Sequence, residues 1–387
     1  MSLREKILQE IRTGGPMAFS RYMEMCLYDP EQGYYSRDVE KFGKAGDFYT
    51  SSDVHAVFGR LLARQFEEMW RVLGSPERIE IVELGPGRGL FARDVLDWSQ
   101  KKFPDFFAAL HYSLWERSAA LRERLQRTME RHFAAGKVSI CQGPQMSSGQ
   151  PFGTAEVLSF HDPIIVFANE FFDALPVEVV SSQGELRIAE ENGHFVESWV
   201  PASAEHLEYL DRYGVHPEAE ERVETASMAQ DYMSQLARGI QQGLVVAIDY
   251  GYSRAEQLAV RHRGTVTAYR KHSVSASPYE APGEQDMTAH VNFTALAAAA
   301  EQNAMTVQPL LTQSQFLMGI GEANQFADAF EDCRLPQEHA KVALQLKHLV
   351  TPAGMGETFH VLIASKAVAP EPIAGLSGLT FGARNKK

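Results

Sequence analysis

Residues 79–90 read IEIVELGPGRGL: branched apolar residues alternating with acids, then glycine at Gly85, Gly87 and Gly89, then the start of a new apolar pattern. β-Branched residues favour extended backbone and glycine permits positive φ, so the stretch predicts a strand passing through a tight loop into a helix. Such a loop offers backbone amides to a ligand at the helix N-terminus. A dinucleotide fingerprint, G-x-G-x-x-G, would need glycine at position 90, where Leu90 stands, so a pyrophosphate ligand is excluded. What remains is E-x-G-x-G-x-G, with Glu83 two residues ahead of the first glycine. A carboxylate there repels phosphate and suits a ligand with a cationic end. A second acid, Glu116, ends the next apolar run, where it can accept hydrogen bonds from ribose hydroxyls. S-adenosylmethionine carries an ammonium, a sulfonium and a ribose but no phosphate, and so suits both acids. The plain alternative is a tight turn that binds nothing.

Outward from the loop, short apolar runs alternate with helical ones, the signature of an α/β fold with a largely parallel sheet. RIEIVEL (78–84) and HYSLWE (111–116) read as strands, each followed by a helical stretch; the second, SAALRERLQRTMERHF, places Leu121, Leu125 and Met129 on one stripe. PIIVFAN (163–169) and GLVVAIDYG (243–251) are continuous apolar runs, as expected of strands covered on both faces. Residues 181–235 break the rhythm. They contain a hairpin with Asn192-Gly193 at its turn, then an acidic helical stretch, residues 217–236, whose charges read as a solvated face. The expected organisation is an N-terminal helical cap (1–70), a first part of the core (71–180), an insertion (181–235), the remainder of the core (236–366) and a tail (367–387).

A second constellation follows the fourth strand. In FANEFFDALPVEVV, Asn169, Glu170 and Asp173 fall where an open α/β sheet presents ligands, with Phe171 and Phe172 as walls. Fixed carboxylates among apolar walls favour a cationic or hydrogen-bond-donating substrate. The competing reading makes Glu170 and Asp173 caps of a following helix. Tyr22, Tyr34 and Tyr35 are either channel or core, and Asp249 and His290 either site or loop supports.

Composition sets the class. The chain has 387 residues with 44% hydrophobic, Lys+Arg 37 against Asp+Glu 50, a net charge of −13, and three cysteines with no metal-ligand spacing. That charge repels nucleic acid and anionic membranes at long range, so neither is an expected partner, and no metal is expected. The first helix carries Ile7, Leu8 and Ile11 at helical spacing with Glu5 and Glu10, unlike a signal or transit peptide, and the expected location is the cytoplasm.

Eight successive blocks extend the picture: GPMAFSRYMEMCLYDPEQGYYS, FGKAGDFYTSSDVHAVFGRLLARQFEEMW, IVELGPGRG, ANEFFDALPVEVV, IDYGY, DMTAHVNFTALA, TQSQFLMGIG and LVTPAGMGETFHVL. From about Gly15 to Lys366 they resemble the MidA-like S-adenosylmethionine-dependent methyltransferases. The resemblance implies a Rossmann-like class I methyltransferase sheet with an N-terminal helical region and an inserted substrate-side subdomain. Mitochondrial members are protein arginine methyltransferases that assist assembly of respiratory complex I. The resemblance puts Gly85, Gly87 and Gly89 under the methionine part of the cofactor, Glu83 near its amino group and Glu116 on its ribose. Gly46, Asp47 and Thr50 would close over it, and Asn169, Glu170 and Asp173 would line the methyl-transfer site. Asp162, just before the fourth strand, is left as the residue for the adenine amino group. The expected methyl acceptor is a nitrogen such as a protein arginine. A small-molecule O- or N-acceptor, a binding protein with a vestigial site, and a homodimer all stay open.

Overall fold

The computed structural model describes residues 1–37, 56–143, 158–259, 264–270, 273–275 and 277–381. Its centre is a sheet whose seven principal strands are β1 (Ile79–Leu84), β2 (Leu110–Trp115), β3 (Val138–Cys141), β4 (Ile164–Asn169), β5 (Gly243–Tyr252), β6 (Thr306–Val307) and β7 (Phe359–Lys366). They lie in the order β3-β2-β1-β4-β5-β7-β6. Strands β1 to β5 run parallel, and β7 runs antiparallel to both β5 and β6. The chain builds outward from β1 through β2 and β3, then returns to the other side for β4, which makes the gap between β1 and β4 the switch point.

The apolar runs are continuous because both faces are covered. Ile81, Ile165, Phe167 and Val246 face helices Ala56–Val72 and Leu90–Lys102, where Phe91 stacks on Phe167 at 4.5 Å. Their neighbours Val82, Val166, Val245 and Ala247 face helices Ser227–Gly239 and Phe293–Glu301. Alternation by two residues thus sorts each strand between two cores.

Several expected boundaries move. Helix Ala56–Val72, assigned to the cap, buries Phe58, Leu62, Phe66 and Met69 in the main core. The N-terminal helix Leu3–Gly14 instead packs Leu3, Ile7 and Ile11 into a separate cluster with Ile188 and Met287. The Asn192-Gly193 turn is present, with φ of 52° and 80°, joining strands Gly184–Glu191 and His194–Val200. The acidic stretch is not one helix. Arg222–Thr225 forms a strand beside Glu178–Ser181, and Glu224 is buried, accepting from the backbone N–H groups of Thr265 and Val266 and from the Thr265 hydroxyl. Helix Ser227–Gly239 crosses the expected boundary at 235 and belongs to the core. The first part of the tail is ordered: Ile373 and Leu376 are buried in the main core, and the Gly378 N–H donates to Gln65. No helix among the described residues is long and apolar enough to cross a membrane.

Candidate active site

The carboxyl ends of β1, β2, β4 and β5 open into a cavity of about 960 Å³. The loop after β1 is shaped by its glycines: Gly85, Gly87 and Gly89 have φ of 64°, 54° and 73°, the left-handed region in which other residues are strained. The Gly85 N–H donates to the Trp115 carbonyl, and the Gly89 N–H to the Pro86 carbonyl. Gly85 and Gly87 line the cavity. Gly89 does not; it lies behind the loop, where a Cβ would come within 2.6 Å of Leu125. That glycine lets the loop pack against the helix that carries Leu125.

Glu83 reaches the cavity from within β1. It is 5% exposed and accepts from the Tyr112 hydroxyl at 2.9 Å. Burial pushes its carboxyl up to about 8, because only one neutral donor answers the charge. Such an acid is poised for a cation. Glu116, at the end of β2, is likewise buried and accepts from the Ser118 N–H at 2.7 Å.

The second wall is the turn after β4. Its geometry is set from β5: Asp249, 1% exposed, accepts the backbone N–H groups of Phe171, Phe172 and Asp173 on one oxygen and that of Tyr250 on the other. The turn holds Glu170 at φ 51°. No helix follows; the next element is the strand Glu178–Ser181, so the capping reading of Glu170 and Asp173 falls. Asn169 donates to Glu170 at 3.1 Å. The Tyr250 hydroxyl donates to Asp173 Oδ2, while Asp173 Oδ1 and Asn169 Oδ1 are buried without a hydrogen-bond partner. Burial pushes the Asp173 carboxyl up to about 6, the Tyr250 hydroxyl opposing it. Burial, with Asp173 and Glu170 beside it, also raises Asp249.

Asn169, Glu170 and Asp173 therefore share one cavity with Glu83, Gly85, Gly87 and Glu116. Gly46, Asp47 and Thr50 lie outside the described residues. Asp162 is not at the site: it sits before β4, half-exposed and 3.6 Å from Arg78 ahead of β1, at the opposite end of the sheet. Tyr22 and Tyr34 are core, whereas Tyr35 lines the cavity and donates to Asp286 at 2.8 Å. Tyr28, Tyr250 and Asp286 are cavity residues the sequence did not single out. Tyr28 and Asp286 carried no signal beyond membership of the first and sixth blocks. Tyr250, next to Asp249 at the end of a sheet strand, was the one open to inference.

A buried acid hydrogen-bonded to a neutral phenol, a glycine-lined cradle and a second buried acid one strand over fit S-adenosylmethionine. The fold and the site define a class I S-adenosylmethionine-dependent methyltransferase. Residues 61–310 match the family described as "Putative S-adenosyl-L-methionine-dependent methyltransferase", and the chain belongs to that family, in keeping with its resemblance to the MidA-like enzymes. Among curated relatives, the chain is 28% identical to the protein arginine methyltransferase NDUFAF7 homolog, mitochondrial, of Drosophila melanogaster, over 93% of this chain and 84% of that protein. It is 25% identical to the protein arginine methyltransferase NDUFAF7, mitochondrial, of Homo sapiens, over 92% and 81%. A crystal structure from Burkholderia thailandensis with S-adenosyl-homocysteine bound aligns with a TM-score of 0.78 and 26% identity, covering 95% of this chain and 92% of that one.

Proposed function

We propose that this methyltransferase acts on a nitrogen acceptor, a guanidinium such as that of a protein arginine. The observation that carries the reading is the pair of buried, partnerless acceptor oxygens, Asp173 Oδ1 and Asn169 Oδ1, at the cavity wall. Buried polar atoms call for partners, and two such acceptors on residues of one cavity call for a donor-rich group. A guanidinium offers five N–H donors and no acceptor. The names of the fly and human relatives point the same way.

In this reading Glu83 takes the ammonium of the cofactor, Gly85 and Gly87 bring backbone against its methionine part, and Glu116 takes the ribose hydroxyls. When bound, S-adenosylmethionine supplies an electrophilic methyl on a sulfonium. The rest falls to the chain. Glu170 and Asp173 orient the acceptor, and Phe171 and Phe172 exclude water from the pair. Asp173 takes the departing N–H proton on Oδ1, its pKa of about 6 lying close to physiological pH, where a general base is effective. Positioning of two reactants in this way is worth about 7–11 kcal/mol of a barrier.

The test of the acceptor is methyl-label transfer into whole-cell lysate, separated into protein and small-molecule fractions, with acid hydrolysis of the protein fraction. Methylated arginine in the hydrolysate is the expected product. Label confined to small molecules, or lost in base as an ester, overturns the reading.

A further inference from the structure

The small sheet formed by Thr267–Arg270, Ser273–Val274 and Asp286–Thr288 borders the same cavity as the turn after β4, through Tyr269, Asp286 and Thr288. The two walls touch. The Ala289 N–H donates to the Asp173 carbonyl at 2.9 Å, and the next cavity residue back along that strand is Thr288. Asp286 lies two positions earlier, so it shares a face with Thr288 about 6.7 Å further along. Asp286 is 3% exposed, lines the cavity and accepts the Tyr35 hydroxyl on Oδ1.

Two phenols sit between the walls. Tyr28 and Tyr35 stack at 5.5 Å, and the Tyr28 hydroxyl donates to the Ala174 carbonyl at 2.9 Å. Both phenols are raised by burial in the first place, and Asp173 and Asp286 each add to the shift on both rings, so both carboxyls lie near the aromatic pair. Arg117 lies over the Tyr28 ring at 5.4 Å, so that face already carries a guanidinium of the chain itself, and the ring left to an acceptor is Tyr35. Arg117 follows Glu116, so this cation links the cofactor side of the cavity to Tyr28, while Arg88 belongs to the glycine loop.

We infer that Asp286, held by Tyr35, is the second carboxylate of the acceptor site, and that the site is a slot for a planar cation gripped from two walls. The inference rests on the nitrogen-acceptor reading. Asp173 contributes a buried oxygen without a partner, Asp286 contributes a second buried carboxyl, and Tyr35, stacked on Tyr28, provides an aromatic side. A guanidinium matches this arrangement because its donors lie in one plane and diverge. A compact ammonium would satisfy one wall at a time.

The test uses the full chain saturated with S-adenosyl-homocysteine and two probes of equal shape, ethylguanidine and ethylurea, with binding followed by ligand-detected NMR. Ethylguanidine should bind and ethylurea should not. Asp286→Asn should weaken ethylguanidine at least tenfold while leaving S-adenosyl-homocysteine affinity within twofold. Tyr35→Phe, which keeps the Asp286 carboxyl but removes the Tyr35 hydrogen bond, should weaken ethylguanidine by only a few fold. Unchanged ethylguanidine binding in Asp286→Asn overturns the inference, as does equal binding of ethylurea or no binding of ethylguanidine to the wild type. A parallel loss of S-adenosyl-homocysteine binding in Asp286→Asn also overturns it, since Asp286 would then support the cofactor side. The two readings fail separately. Methylarginine as product with no role for Asp286 removes the slot alone, whereas an O-methyl product with Asp286-dependent ethylguanidine binding removes the nitrogen acceptor alone.

Discussion

Glu83 lends itself to titration. Its carboxyl is enclosed, has the Tyr112 hydroxyl as its donor, and is pushed by burial up to about 8. In the free protein at pH 7 roughly nine in ten copies are therefore protonated, and an incoming ammonium requires the carboxylate. Stripping the proton costs about 1.4 kcal/mol for each pH unit below the pKa. Affinity for S-adenosyl-homocysteine should rise about tenfold from pH 6 to 7 and level off above about pH 8. Calorimetry in two buffers of different ionisation enthalpy should count roughly 0.9 proton released per ligand at pH 7 and roughly 0.5 at pH 8. Glu83→Gln should bind with no such slope, so its deficit against the wild type widens as pH rises. Stability runs the other way. A carboxyl raised by folding leaves the native state holding more protons than the unfolded chain between pH 4.5 and about 8, so its contribution to stability falls as pH climbs through that window. The Gln variant, which loses no stability there, should melt above the wild type at pH 8 without ligand. A wild-type affinity that stays constant from pH 6 to 8.5 would refute the placement of the ammonium at Glu83.

Three further outcomes are expected. Gly89→Ala should lower stability by about 2 kcal/mol in thermal unfolding, because a non-glycine residue at φ 73° is strained and its Cβ meets Leu125; unchanged stability would mean that the loop can reshape. Asp249→Ala strands four backbone donors and should cost at least about 3 kcal/mol by urea titration, with Asp249→Asn intermediate; equal losses in the two would point to charge rather than hydrogen bonding. Glu170→Gln and Asp173→Asn should each keep near-normal affinity for S-adenosyl-homocysteine while turnover in the labelled lysate drops on the order of a hundredfold. Full activity in both would remove these carboxylates from the reaction.

The part of the fold nearest the opening stretch was legible because its signals are local. Branched residues in β1, glycine at three positive-φ positions and the stripe of Leu121, Leu125 and Met129 each act within a turn or two of chain. The strand Arg222–Thr225 was missed because its charges resemble a solvated helix, and only the distant Thr265 explains why Glu224 can be buried. The four-residue β3 was not located for a related reason: half of it is only partly buried, so it carries little pattern. At the site, Glu83 stands out by its position just ahead of the glycine loop and Asp173 by its position after β4. Asp249 was seen without its purpose, since the amides it gathers lie 76 to 78 residues away. Tyr35 and Asp286 meet across 251 residues, a distance no local spacing encodes.

The order of the sheet has a consequence for how the chain is made. β7 fits between β5 and β6, both of which leave the ribosome before it. Until residues 359–366 emerge, β5 carries an open row of amides and carbonyls, the kind of edge that recruits foreign strands. Parallel β1, β2, β4 and β5 can pair while synthesis continues, but the growing sheet must hold a slot for a strand running the opposite way. Thr358 and Phe359 line the cavity just where that strand enters. A nascent chain therefore gains its finished chamber at the same moment that it loses its exposed edge, and a chain cut short before Phe359 would lack both.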